Sequence, residues 1–247
     1  MNTLAYILLF TLIGSVVSLI GGVLLLIKEK FALKISHYLT AFAAGALLST
    51  AFFDLLPESM ELGGEVNIFL WTLLGILAFF LLERFIHHHG HHTGENKQVV
   101  SLIVIGDSIH NFIDGVAIAA TFLISIPLGM VTALAVAAHE IPQEIGDFGL
   151  LLSKGLTRKK VLLINLYSSL TAVAGAVATF AMGERIGNLL PILLAVTAGF
   201  FIYIALANLI PEIHNKENQK IAFWESVMLF VGVLVVYFAI SALEGSI

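Results

Sequence analysis

Apolar residues run along this chain in long blocks separated by short polar stretches. Eight windows, roughly 4–27, 35–56, 66–86, 99–124, 128–153, 160–182, 189–210 and 222–242, are mainly apolar. About 20 such residues let a helix cross the ~30 Å hydrocarbon core of a bilayer. The connections are short, and several carry helix breakers: Gly63-Gly64, Pro127, Gly183 and Pro191. The pattern predicts an all-α integral membrane protein of eight transmembrane helices, with residues 1–247 forming one domain.

The cations give the helices a direction. Lys28, Lys30 and Lys34 lie in or beside the first connection, Arg84 and Lys97 flank the third, Lys154, Arg158, Lys159 and Lys160 bracket the fifth, and Lys216 and Lys220 lie in the seventh. Of the 12 Lys and Arg residues only Arg185 falls on an even-numbered connection. Lys and Arg collect on the cytoplasmic side of membrane proteins. Odd connections are therefore expected in the cytoplasm and both termini outside, in a multi-pass protein of the cell membrane.

An internal repeat is also visible. Residues 43–59 read AAGALLSTAFFDLLPES, and residues 197–213 read TAGFFIYIALANLIPEI. Gly45, Ala51, Pro57 and Glu58 recur as Gly199, Ala205, Pro211 and Glu212, and Asp54 is matched by Asn208. The two windows run in opposite directions through the bilayer under the predicted topology. That points to an inverted repeat, helices 1–3 against 6–8 around a central pair 4 and 5, as in transporters built around a midplane site. Two small-residue helices that happen to end in proline are the competing explanation.

Composition agrees with the hydropathy pattern. Hydrophobic residues make up 59% of the chain and charged residues 12%, against about 25% charged in a soluble domain. With no cysteine, disulfides and thiolate metal sites are excluded. No basic patch supports nucleic-acid binding. The first apolar run has no Lys or Arg before it, which argues against a cleaved signal peptide.

The exceptions to the apolar pattern carry the chemistry. In the fourth window, GDSIHNFIDGVAIAA (106–120) places Asp107, His110, Asn111 and Asp114 at helical spacing on one face. In the fifth, HEIPQEIGDF (139–148) offers His139, Glu140, Gln143, Glu144 and Asp147. The two windows are adjacent in the chain and are expected to be antiparallel, so that their polar faces meet at one depth. An ionised carboxylate at a helix centre costs roughly 2.5–3.5 kcal/mol by insertion scales, and five facing lipid would cost more than ~10 kcal/mol. Neither helix centre holds a Lys or Arg, so a bound cation is the most economical counter-charge. A set of imidazole nitrogen with carboxylate and amide oxygen suits a first-row divalent metal. Gln143 is a weak, neutral ligand that lowers affinity, as release requires. Pro142 frees the backbone carbonyl of Ala138, either for an ion or water or as a plain kink. Asp107 and Asp147 lie nearer the helix ends, where local capping or pairing is the alternative.

The motifs HNFIDG (110–115) and HEIPQEIGDF (139–148) resemble the paired signatures of the ZIP (Zrt/Irt-like) family of divalent-metal transporters. The resemblance extends over nearly the whole chain, to eight spans with both ends outside, a His-rich stretch after the third, and Pro-Glu near the ends of the second and seventh. It implies a binuclear centre between helices 4 and 5. One ion would be held by His110, Asp114, His139 and Gln143, the other by Asn111, Asp114, Glu140 and Glu144. It also implies inward transport of divalent ions (Zn foremost, with Fe, Mn and Cd) and a dimer. Many relatives have His where Gln143 stands, which bears on metal preference. The short N-terminal lead suggests the compact prokaryotic form.

The stretch HHHGHHTGE (87–95) lies in an expected cytoplasmic loop at 86–98. His87, His88, His89, His91 and His92 there form either a metal-catching loop or a polar connector that binds metal incidentally. Asp54, Glu58, Asn208, Glu212 and His214, with Asp107, Asp147 and Asn165, are expected along the routes in and out. Asn165, Ser168 and Ser169 either complete the site or join helices. Two other functions compete. HEIPQ superficially resembles the H-E-x-x-H of a zinc metalloprotease, but Gln143 replaces the second His and Pro142 distorts the turn. A metal-gated channel or sensor would use the same residues.

Overall fold

The computed structural model describes residues 2–91, 96–182, 187, 189–214 and 219–244, and among these it contains helix and no strand. The chain forms α1 (Thr3–Leu12), a π-helical turn (Ile13–Val17), α2 (Ile20–Thr50), a second π turn (Ala51–Leu55), α3 (Leu56–Gly63), α4 (Ile68–His91) and α5 (Asn96–Ile124). There follow α6 (Ile126–Ser153), α7 (Arg158–Ala181), α8 (Leu190–Tyr203), a third π turn (Ile204–Leu209), α9 (Ile210–His214) and α10 (Gln219–Glu244).

Helix starts carry their own caps. The side chains of Asn2, Asn67, Ser125 and Thr157 accept from the backbone N–H three residues on, at 2.9, 3.1, 3.2 and 3.4 Å. Each satisfies one of the donors that a helix N-terminus leaves open. Gly64 and Gly155 adopt positive φ (52° and 86°) in the turns before α4 and α7, a conformation glycine takes without a Cβ penalty.

Two connections differ from expectation. The first, expected over residues 28–34, is a single non-helical residue, Lys28 (φ −136°, ψ 63°), with helix on both sides. The segment there, KEKFALK, is charged but contains no Gly or Pro, so nothing ends the backbone hydrogen bonding. The His-rich stretch also differs: helical backbone continues through His91 and resumes at Asn96. His92 lies outside the described residues, as do the side chains of His87, His88, His89 and His91.

Four stretches among the described residues are long and apolar enough to cross a membrane: Thr3–Gly63, Arg158–Ala181, Leu190–Ile213 and Ile221–Ala242. The 61 residues of the first would reach ~90 Å as a straight helix at ~1.5 Å per residue. That is about three bilayer cores, so the break at Lys28 has a geometric purpose. The exterior is apolar: Ile27, Phe69, Phe230 and Phe238 are each more than 60% exposed. So much large apolar surface is untenable in water and suits lipid.

Inside, helices meet through glycine. A methyl group on Gly45 or Gly232 would overlap a backbone oxygen across the α2–α10 contact; Gly75 and Gly199 do the same for α4–α8, and Gly115 and Gly175 for α5–α7. In lipid no hydrophobic force drives helices together, so close backbone approach through small residues takes its place. The early part of α2 packs on α6 in the same way, through Gly21 against the Ile141 carbonyl. α5 and α6 themselves lie side by side within the bundle.

Candidate metal centre

The polar residues of α5 and α6 turn toward each other. His110, Asp114, His139 and Glu140 each offer one ligand atom, and the four atoms lie within 4.8 Å of one another. All four residues are buried, His139 completely. His110 Nε2 stands 3.2 Å from His139 Nε2, 3.5 Å from Asp114 Oδ2 and 3.4 Å from Glu140 Oε1. His139 Nε2 stands 3.2 Å from Asp114 Oδ2 and 3.7 Å from Glu140 Oε1. Zinc bonds to nitrogen and oxygen are about 2.0–2.2 Å, so a tetrahedron around the ion has edges of about 3.3–3.6 Å. Five of the six edges, at 3.2–3.7 Å, bracket that value; the sixth, between the Asp114 and Glu140 oxygens, is within 4.8 Å.

The proton inventory supports the same conclusion. His139 Nδ1 lies 3.1 Å from the Ala135 carbonyl. A carbonyl only accepts, so Nδ1 carries the hydrogen, and the Nε2 of the neutral ring keeps its lone pair for the centre. Asp114 Oδ2 and Glu140 Oε1 face only the two imidazoles, and Glu140 Oε2 and both oxygens of Glu144 are buried without a hydrogen-bond partner. Buried polar atoms are rarely left so. Two aromatic rings wall the centre: Phe79 of α4 meets His110 edge-on at 5.5 Å, and Phe201 of α8 meets His139 at 6.2 Å.

Gln143, which the resemblance implies as a ligand, also makes a contact across the helix interface. Glu140 is the fourth acid or imidazole of the close group, and the Gln143 amide nitrogen lies 3.5 Å from Asp107 Oδ1. Asp107 also accepts from Asn111 Nδ2 at 3.0 Å and from Ser168 Oγ of α7. It is therefore bound into a local network. Thr171 of α7 adds a 2.6 Å bond to the Ser108 carbonyl, so α7 grips α5 directly beside the centre. Asn165 is buried and donates to Val161 O at 2.9 Å within α7.

The remaining residues expected along the routes are spread out. Asp147 is half-buried on α6, beyond Glu144. Asp54 is buried in the second π turn and Glu58 half-buried on α3; Asn208 is half-buried in the third π turn and Glu212 exposed on α9. The side chain of His214 lies outside the described residues. None of these belongs to the four-residue group. Residues that sequence reasoning missed are Phe79, Phe201, the Tyr203 hydroxyl that donates to Glu83 at 2.6 Å, and Glu225, buried on α10. A single acid in the apolar run that follows Gln219 and Lys220 was the only signal for Glu225, and the aromatic residues gave none.

A helical bundle with a lipid-facing exterior and a buried nitrogen–oxygen cage between two of its helices is a multi-pass membrane protein able to hold a divalent cation. The family profile described as "ZIP Zinc transporter" matches residues 3–101 and 93–239. The chain belongs to the ZIP zinc transporter family. It is 33% identical over 215 residues to "Zinc transporter ZIP13" of Pongo abelii, a match covering 80% of this chain and 64% of that protein. It is 44% identical over 126 residues to "Zinc transporter ZIP4" of Rattus norvegicus (51% of this chain, 19% of that protein). With "Zinc transporter ZIP10" of Danio rerio the identity is 41% over 119 residues (48% and 14%). The matches thus span from about a seventh to just under two thirds of the length of these relatives.

Proposed function

We propose that this chain carries divalent transition-metal ions, zinc foremost, across the membrane into the cytoplasm through a two-ion centre between α5 and α6. The observation that carries this reading is the four-atom group itself, five of whose six edges are close to those of a zinc coordination shell. Two imidazoles and two carboxylates suit zinc, with iron, manganese and cadmium as related cargo. The first ion is held by His110, His139, Asp114 and Glu140. The second is held by Asn111, Asp114, Glu140 and Glu144, supported by the buried oxygens of Asn111 and Glu144 and the second oxygen of Glu140, which have no hydrogen-bond partner. Asp114 and Glu140 bridge the two ions.

The reading includes eight spans: α1 with α2 up to Lys28, the rest of α2 with α3, α4, α5, α6, α7, α8 with α9, and α10. It also includes an inverted repeat. Exchanging spans 1 with 6, 2 with 7, 3 with 8 and 4 with 5 maps the observed neighbours onto one another. The α2–α10 contact becomes α4–α8, α5–α7 becomes the early-α2–α6 contact, and α4–α5 becomes α6–α10. The π turns obey the same exchange: Ala51–Leu55 moved by the 154 residues that separate Gly45 from Gly199 gives 205–209, inside Ile204–Leu209. Inward release is supported by the acids. Glu144 and Asp147 follow Glu140 along α6 toward Lys154 and Arg158, the side that basic residues mark as cytoplasmic.

A metalloprotease is not favoured, because Gln143 stands where the second zinc-binding His of H-E-x-x-H would be and its amide nitrogen is turned to Asp107. The test is zinc uptake by proteoliposomes. Asp114→Ala and His139→Ala are each expected to abolish uptake while the protein elutes as the native form; wild-type uptake in both refutes the centre.

A further inference from the structure

Asp107 lies one turn of α5 before His110 and takes no part in the four-atom group. Its carboxylate is ringed by donors from three helices: Asn111 Nδ2 of α5 at 3.0 Å, Gln143 Nε2 of α6 at 3.5 Å, and Ser168 Oγ of α7. The Asn111 nitrogen also reaches the Asp107 backbone carbonyl, at 3.2 Å. An ionised carboxylate and a carbonyl only accept, so the amides that face them must present NH2. An amide has two opposite ends, and turning NH2 to Asp107 aims the carbonyl oxygen away. In Asn111 that oxygen is buried and has no hydrogen-bond partner. Reversed, the side chain would aim two N–H groups at a doubly charged cation.

We propose that Asp107 is a positioning residue that sets the amide orientation of Asn111, so that its carbonyl oxygen faces the cargo ion. Ser168 holds the carboxylate in place from α7 by donating its single hydroxyl proton to it. Asp107 thus serves the second ion without touching it. The inference rests on the reading of α5 and α6 as the metal centre.

The test is calorimetric titration of Cd2+ into the purified full chain in detergent, for wild type, Asp107→Asn, Asn111→Ala and the double variant. Partners that orient metal ligands are worth about 10–100-fold in affinity. Asp107→Asn is expected to weaken the second Cd2+ by about that factor and to leave the tighter ion within about threefold. Asn111→Ala is expected to do the same, and the double variant to be no worse than Asn111→Ala alone. A second ion unchanged by Asp107→Asn but weakened by Asn111→Ala overturns the proposal, as do losses that multiply in the double variant. Should Asp107→Asn not fold, Ser168→Ala frees one carboxylate oxygen and carries the same test. A weaker second ion then supports the proposal and an unchanged one overturns it. Undiminished binding of both ions by Asp114→Ala would instead remove the metal centre itself, and this inference with it.

Discussion

Replacing Asp114 by Asn keeps the shape of the side chain and removes one negative charge from the cage. Asp114 Oδ2 lies 3.5 Å from His110 Nε2 and 3.2 Å from His139 Nε2. Four-ligand zinc sites bind with roughly 10–16 kcal/mol, or about 3 kcal/mol per ligand. An amide oxygen recovers a little of that, so a loss of about 2.7 kcal/mol, near 100-fold in Kd, is expected. The consequence is readable without transport. At a zinc concentration 100 times the wild-type Kd, binding stabilises the protein by about 2.7 kcal/mol; at the variant's weakened Kd the same zinc gives about 0.4 kcal/mol. At about 2–4 °C per kcal/mol for a chain of this size, the zinc-dependent rise in Tm should shrink by about 5–9 °C. The metal-free Tm of each protein is the baseline from which its own zinc-dependent shift is taken. Thermal unfolding in detergent, with and without zinc, measures both. Equal zinc-dependent shifts in wild type and Asp114→Asn would refute the reasoning.

The other predictions use the same geometry. Gln143→His should raise affinity for zinc relative to manganese, read by competition titration; an unchanged ratio would leave residue 143 without influence on the cargo. Gly115→Ala should destabilise by about 1–3 kcal/mol through overpacking, since its methyl would meet the Ala172 backbone, whereas Gly146→Ala, with nothing within 4 Å, should be neutral or slightly stabilising; Tm values of the two compare them directly. Tyr203→Phe removes the hydrogen bond to Glu83 and should cost about 1.5–3 kcal/mol, seen as a lower Tm. The chain lacks cysteine, so single cysteines report sidedness: in intact cells an impermeant maleimide should label Glu65→Cys and reach Arg158→Cys only after lysis.

Much of the architecture can be read from the order of apolar blocks, because a bilayer demands long apolar helices and little else. The spacing of Asp107, His110, Asn111 and Asp114 likewise placed them on one helical face. The contact between Gln143 and Asp107 was not readable. Glu140 and Gln143 both fit the helical pattern, and only the packing of α5 against α6 brings the Gln143 amide nitrogen to 3.5 Å from Asp107 Oδ1. Phe79 and Phe201 were invisible for a different reason: in an apolar block a phenylalanine against the metal cage looks the same as one against lipid. The first connection falls within the expected stretch but is shorter, a single residue at Lys28, because charge signals a loop whereas the backbone there has no residue that stops a helix. The π turns, one of which carries Asp54, follow no residue pattern and became evident only from backbone hydrogen bonding.

The central claim is that α5 and α6 form a cage for the cargo ion. Anomalous diffraction from crystals soaked in zinc or cadmium tests it most directly. The account predicts an anomalous peak within about 2.0–2.3 Å of His110 Nε2 and His139 Nε2, with Asp114 and Glu140 oxygens completing the shell. Strong peaks elsewhere on the protein and none between these two helices would contradict it.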